Sequence, residues 1–169
     1  MEVSLPNSSN CLCDSNITYS ECCNRFHTGT EKPQTAELLM RARFTAYAMR
    51  NVDFLLSTWD KNKRPKEIDF SKEPVEWVRL EIINTKKGLS QDNKGIVEFK
   101  AFYLLEGEEH VMREVSRFHR KDGKWLYLEG IVHSIAKAHQ QPSGNLNALC
   151  SCGSGKKFKR CCGQSLIKK

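Results

Sequence analysis

Eight cysteines stand in two groups of four: Cys11, Cys13, Cys22 and Cys23, then Cys150, Cys152, Cys161 and Cys162. Both groups read C-x-C, eight residues, C-C, and no cysteine lies between them. Four thiolates gathered within so short a span can converge on one tetrahedral cation, and zinc is the usual occupant of an all-sulfur site. Disulfides are the competing chemistry for an even number of cysteines. The first ten residues, MEVSLPNSSN, show no basic stretch followed by an apolar one, so no secretory signal is expected. No apolar run approaches the length of a membrane span. A reducing, cytoplasmic setting is therefore expected, where clustered cysteines bind metal more often than they pair. The adjacent thiols of Cys22 and Cys23 also bridge each other poorly. The expectation is two zinc ions, one in a small knuckle at each end.

Charge separates the two ends. The chain carries 27 basic and 20 acidic residues. From Ile131 onward there are Lys137, Lys156, Lys157, Lys159, Arg160, Lys168 and Lys169, and no acid at all. The net charge of +7 thus sits entirely on the last quarter. A tetrathiolate zinc site carries a formal charge of about −2, which does not call for seven cations. A partner of acidic or phosphate character is implied.

Aligned on their cysteines, CLCDSNITYSECCN meets CSCGSGKKFKRCCG. Asp14, Asn16 and Asn24 face Gly153, Gly155 and Gly163, the residue types that best tolerate positive φ, so both copies are expected to share one backbone. Tyr19 and Phe158 supply an aromatic anchor to each. Lys156, Lys157, Lys159 and Arg160 have no charged counterparts of the same sign in the first copy, where Ile17, Thr18, Ser20 and Glu21 stand. The first knuckle is accordingly expected to be a structural cap. The second is expected to be an interaction surface made of Lys156, Lys157, Phe158, Lys159 and Arg160.

The stretch NALCSCGSGKKFKRCCG resembles the SEC-C motif, the zinc-binding tail of the bacterial translocation ATPase SecA. There the motif contacts the export chaperone SecB and ribosomes, so the resemblance implies binding to a chaperone or to a ribosomal protein. Leu12 and Ser151 stand where that family usually has proline, and Cys162 where some members use histidine. The segments NRFHTG, TAELLMRARFTAYAMRNVDFLLSTWD and REVSRFHRKDGKWLYLEG resemble the YchJ family of bacterial proteins, with Ala42 at a place commonly held by serine. This resemblance implies an α+β fold of the nuclear transport factor two-like, or cystatin-like, type. In that fold a curved antiparallel sheet wraps on N-terminal helices, here with a zinc knuckle at each end.

The residues that must position these sites read the same way. Thr35 can cap a helix, with Glu37 favoured in its first turn, and Leu39, Ala42, Ala46 and Met49 recur at helical spacing. Asn51 offers a second cap before Val52, Leu55, Leu56 and Trp59. Asp60 to Lys66 is polar and reads as a loop. Past Pro74, the segments 77–83, 96–105, 111–118 and 124–131 are rich in β-branched and aromatic residues, separated by the turn signals Glu106-Gly107-Glu108 and Asp122-Gly123. Helices followed by hairpins give α+β with an antiparallel sheet. The expected organisation is a knuckle over 1–30, a central domain over 31–135, a linker over 136–146, and the second knuckle with its basic tail over 147–169.

Folds of this type often enclose a pocket, for which Arg43, Tyr47, Trp59 and Glu114 are the candidates, with His119 a further titratable residue. Tyr47 and Trp59 can equally be core residues, Glu114 can pair with Arg117, and His119 at a strand end is expected to be exposed. No acid–base pair is identifiable from spacing, so no residue is assigned a catalytic role. Three functions stay open: a zinc-binding adaptor docking on a protein through its C-terminal knuckle, RNA or ribosome association through the basic tail, and an enzyme or small-ligand carrier using the central pocket. Metal removal is expected to unfold the segment around Cys150–Cys162 while the central sheet survives.

Overall fold

In the computed structural model, which describes residues 8–72, 74–138, 149–150, 154–157 and 160–161, the first cysteine group leads into a short helix α1 (Asn24–His27). Helix α2 (Ala36–Ala48) follows, started by the Thr35 hydroxyl, which accepts from Leu38 N at 3.1 Å. Arg50 at φ 58° breaks the helical run. Asn51 then caps helix α3 (Val52–Ser57), its Oδ1 accepting from Phe54 N at 3.0 Å. Both caps lie where the sequence places them, because each supplies an oxygen to an otherwise unpaired N–H of the first turn. Trp59 lies beyond α3, in an isolated parallel bridge with Tyr127.

A single 3-10 turn over Phe70–Lys72 precedes four strands: β1 (Val75–Lys87), β2 (Lys94–Leu105), β3 (Glu108–Lys121) and β4 (Lys124–Lys137). They form one antiparallel meander in the order β1-β2-β3-β4. Every strand outruns its expected limits at one end or both, because hairpin pairing continues into polar residues that periodicity alone leaves outside. β4 runs through Lys137, paired with His110, two residues into the segment expected to be linker. The turns Glu106-Gly107 (φ 53°, 80°) and Asp122-Gly123 (φ 50°, 73°) have the paired positive φ that matches strand twist in two-residue hairpins.

Bulges between Trp77 and Arg79, Ile82 and Asn84, Arg113 and Glu114, and Arg117 and Phe118 bend the sheet. The curved sheet takes α2 against β1, β2 and β4. Eight residues of α2 are buried, among them Arg43 and Thr45, so this is a helix enclosed on several sides rather than an amphipathic one. The base of the β1–β2 hairpin meets its first turn at backbone distance. Ala36 N donates to Gly88 O at 2.8 Å, and a Cβ at Gly95 would fall 2.8 Å from the Ala36 side chain. The core comprises Leu39, Phe44, Leu55, Leu80, Val97, Phe99, Phe118 and Trp125, and it continues without a break into Cys11, Cys13, Cys22 and Cys23. Among the described residues, no helix is long and apolar enough to cross a membrane.

Candidate metal centre and central cavity

The sulfurs of Cys11, Cys13, Cys22 and Cys23 all lie within 4.8 Å of one another, and all four residues are buried. Cys13 Sγ is 3.5 Å from Cys22 Sγ, which is 3.9 Å from Cys23 Sγ. A disulfide needs about 2.05 Å, and none joins the described cysteines. Sulfurs bound at about 2.3 Å to one tetrahedral zinc would stand about 3.8 Å apart. The cage fits such an ion.

Its local backbone explains how four thiols converge. Cys11 N donates to Ile17 O at 2.9 Å and Tyr19 N to Ser9 O at 2.9 Å, closing a small hairpin around Asp14 (φ 60°) and Asn16 (φ 57°). The Ser15 hydroxyl lies 3.1 Å from Cys22 Sγ. Without a cation the sulfurs compete for protons. Hydrogen bonds from Cys13 and Cys23 hold the Cys11 thiol far below its usual range. The bond to Cys23 takes Cys22 down to about 6. Cys13 is pushed up to about 12 by its bond to Cys11, and Cys23 is driven up by its bonds to the other three and by burial. A divalent cation at the centre would resolve this conflict by replacing the shared protons.

The cage is walled by the central domain. The Thr45 hydroxyl, from the last turn of α2, lies 3.4 Å from Cys23 Sγ and 3.6 Å from Cys11 Sγ. Arg41 donates to the Cys13 carbonyl at 2.6 Å and pairs with Glu37 at 2.9 Å. His27 is not a ligand. Its Nε2 lies 2.8 Å from the Ala42 carbonyl, which can only accept, so Nε2 carries the proton and Nδ1 accepts from the Tyr19 hydroxyl at 3.0 Å. Burial pushes the His27 pKa below its ordinary value, in keeping with a neutral ring. Hydrogen bonds to metal-bound sulfur typically matter 10- to 100-fold in affinity. Thr45→Val, which keeps the shape and removes the hydroxyl, is expected to weaken metal binding at this cage by about tenfold or more, measured by chelator competition on the folded protein.

The second group repeats this frame where it is described. Cys150 N donates to Lys156 O at 2.7 Å, Leu149 pairs with Lys157 as Asn10 does with Thr18, and the Ser154 hydroxyl donates to Cys161 Sγ at 3.2 Å. Gly155, at φ 68°, takes the place of Asn16. The expected equivalence of glycine with Asp and Asn thus holds at Asn16, and Asp14 also has positive φ. Asn24 opens α1 in helical conformation and donates its N–H to Tyr19 O at 3.0 Å, and its counterpart Gly163 lies outside the described residues. Cys150 is buried and Cys161 half-buried, while Lys156, Lys157 and Arg160 are exposed. Cys152, Phe158, Lys159 and Cys162 lie outside the described residues.

Of the central candidates, Arg43, Tyr47 and Glu114 line one cavity of about 210 Å³ between α2 and the sheet, together with Trp77, Met112 and Tyr127. Trp59 stands behind it. Its ring packs 4.9 Å from the Arg43 guanidinium, which also lies 4.4 Å from the Tyr127 ring. Arg43 is 1% exposed and donates to Leu55 O and Thr58 Oγ1, each at 2.8 Å. Burial lowers its pKa, opposed by Tyr47, Tyr127 and Glu114. Burial likewise raises that of Tyr127. Glu114 does not pair with Arg117, which reaches Glu129 at 2.6 Å instead, because the two lie on opposite faces of β3. Glu114 Oε1 accepts from Ser116 Oγ at 2.5 Å. His119 is half-buried rather than exposed and stands 2.9 Å from the buried carboxylate of Asp60. Thr45, Trp77, Ser116 and Tyr127 escape a reading of sequence because each looks like an ordinary element residue. Only the period-two pattern of β3 and β4 could have placed Ser116 and Tyr127 on the inner face.

Comparison with known proteins agrees with this geometry. The family model described as "YchJ, middle NTF2-like domain" matches residues 35–130, and the SEC-C motif matches residues 147–164. A solution structure of a SEC-C motif containing protein from Rhodopseudomonas palustris superposes with a TM-score of 0.66 at 29% identity, covering 75% of this chain and 100% of that one. A crystal structure of a sec-c motif containing protein from Psychrobacter arcticus gives 0.62 at 26% identity, covering 94% and 97%. Fold and cysteine pattern together define an NTF2-like domain joined to a SEC-C motif. A UPF0225 protein of Serratia proteamaculans is 39% identical over 160 residues, 91% of this chain and 97% of that protein. One of Corynebacterium efficiens is 44% identical over 124 residues, 72% and 92% respectively. The chain belongs to the YchJ family.

Proposed function

We propose that this protein is a zinc-binding adaptor whose C-terminal SEC-C knuckle docks on an acidic surface of a protein partner. The observation that carries this reading is the contrast between two cysteine groups that share one hydrogen-bond frame where both are described. The first is sealed in the core by Thr45, Arg41 and the α2 backbone. The second turns Lys156, Lys157 and Arg160 to solvent. A frame that needs only serine and turn residues to hold its sulfurs has no structural use for three exposed cations, so they are available for recognition. Phe158 and Lys159, between them in sequence, complete the proposed surface. All-thiolate donor sets of this spacing suit zinc, with one ion at each end. The class of partner follows the SEC-C resemblance: an export chaperone or a ribosomal protein.

The test is the triple variant Lys156→Glu, Lys157→Glu, Arg160→Glu in the full chain. It should keep its zinc and its melting temperature yet lose co-purification with the partner. Retained binding would sink the adaptor reading. A salt titration separates the RNA alternative. Four to six phosphate contacts would give a log–log slope of roughly −3 to −5, with the single-strand value at the shallow end. A packed protein interface should weaken much less.

A further inference from the structure

We propose that the cavity between α2 and the concave face of the sheet binds a compact, neutral, mostly apolar ring molecule that presents a hydrogen-bond donor to Glu114. Size sets the first limit. An apolar cavity of about 150 Å³ accepts benzene, so about 210 Å³ admits a ring system with a small substituent. Apolar walls from Phe44, Trp77, Phe99 and Met112 suit the flat faces of such a ring.

The polar groups set the second limit. Arg43 is already engaged by Leu55 O and Thr58 Oγ1 and covered by Trp59 and Tyr127. It contributes a fixed positive charge rather than free donors. Arg43 and Glu114 both line the cavity, one guanidinium and one carboxylate, so the lining carries no net charge. A charged ligand would give up its hydration on entering a mostly apolar lining of no net charge, which favours an uncharged one. Glu114 has accepting capacity to spare, since a carboxylate can take about four hydrogen bonds and Ser116 uses one on Oε1.

Two further features mark this corner as built. Gly130 of β4 lies against Glu114, where a Cβ would collide with Oε1 and come within 2.7 Å of the Tyr127 hydroxyl. The missing side chain makes room for the carboxylate. Trp77, whose ring lines the cavity, has its indole N–H buried with no acceptor among the described residues. Tyr47, Trp77, Met112 and Glu114 are each only half-buried, so the cavity is reachable from solvent.

The experiment compares indole with indene, an isostere lacking the N–H, on the full-length protein by titration calorimetry and saturation-transfer NMR. Indole should bind saturably and about tenfold or more tighter than indene, the expected effect of one hydrogen bond to a charged acceptor. Glu114→Gln should remove most of that preference. Ala101→Leu, which adds bulk to a cavity-lining residue that is 1% exposed, should abolish binding of both probes. Absence of saturable indole binding, equal affinity for the two probes, or binding unaffected by Ala101→Leu would each overturn the proposal. If Glu114→Gln fails to fold, the probe ratio on the natural protein and the Ala101→Leu result decide the matter.

Discussion

Cys23→Ser is expected to unfold the central domain, whereas Cys161→Ser should leave it standing. Cys23 is 1% exposed, within hydrogen-bonding distance of Thr45 on α2, and part of the same buried cluster as Leu39, Phe44 and Leu55. Losing a ligand there removes metal from a cage whose three remaining sulfurs cannot all ionise, and leaves polar groups buried in the core. Structural zinc contributes about 10–16 kcal/mol of apparent binding energy in small knuckles. A whole domain is typically stable by only about 5–15 kcal/mol. Even half of that loss would lower the melting temperature by about 10 °C or more at this chain length. Cys161 belongs to a frame whose described contacts, Cys150 to Lys156, Leu149 to Lys157 and Ser154 to Cys161, stay within residues 149–161. Its loss should release metal with the sheet signal in circular dichroism unchanged. Equal melting of Cys23→Ser and the natural protein would show that the first cage is dispensable to the core. From sequence alone, metal removal should spare the sheet. The packing of the first cage into the core changes that expectation, since chelation strong enough to empty both sites should unfold both.

The second large effect is expected at Arg43. Arg43→Ala should destabilise the domain by about 4 kcal/mol, read from urea denaturation at unchanged slope. The guanidinium bonds the Leu55 carbonyl and the Thr58 hydroxyl and lies against both the Trp59 and Tyr127 rings, which also meet each other edge-on. It thereby ties the end of α3 to β4, a junction also closed by Tyr127 N donating to Thr58 O and Asp60 N to Tyr127 O, each at 2.8 Å. Removing it leaves a buried carbonyl and hydroxyl short of a donor and two rings facing a void. Arg43→Lys should recover less than half, because an ammonium, though it can serve both acceptors that Nη1 now serves, lacks the planar group that covers the Trp59 and Tyr127 rings. Full recovery by lysine would mean that charge and hydrogen bonding alone, not the planar contact, hold this junction.

How much of this could be read beforehand depends on how far apart the participants lie in the chain. Thr35 and Asn51 cap helices through the third residue on, and Asp122-Gly123 turns a hairpin within two residues. Such features are local, so residue types alone announce them. The turn at Asn16 is legible for the same reason. Asn24 misled because Asn tolerates positive φ without requiring it, and the start of α1 decided in favour of helix. The ends of the strands were illegible, since their last residues are polar and are held by pairing partners rather than by periodicity.

The sequence by itself determined that the cysteines fall into two groups of one spacing, that the excess positive charge lies with the second group, and that helices precede a meander. Ligand spacing, charge and period are properties of neighbouring residues. Only the tertiary structure decided which cage belongs to the core, because Thr45 and Arg41 reach it from 22 to 28 residues away. It also decided that Arg43, Tyr47 and Glu114 share a cavity with Tyr127 while Trp59 stands behind Arg43. Those residues come from a helix, a loop and two strands, and burial against one another is settled by how the sheet curves over α2, which no local pattern encodes.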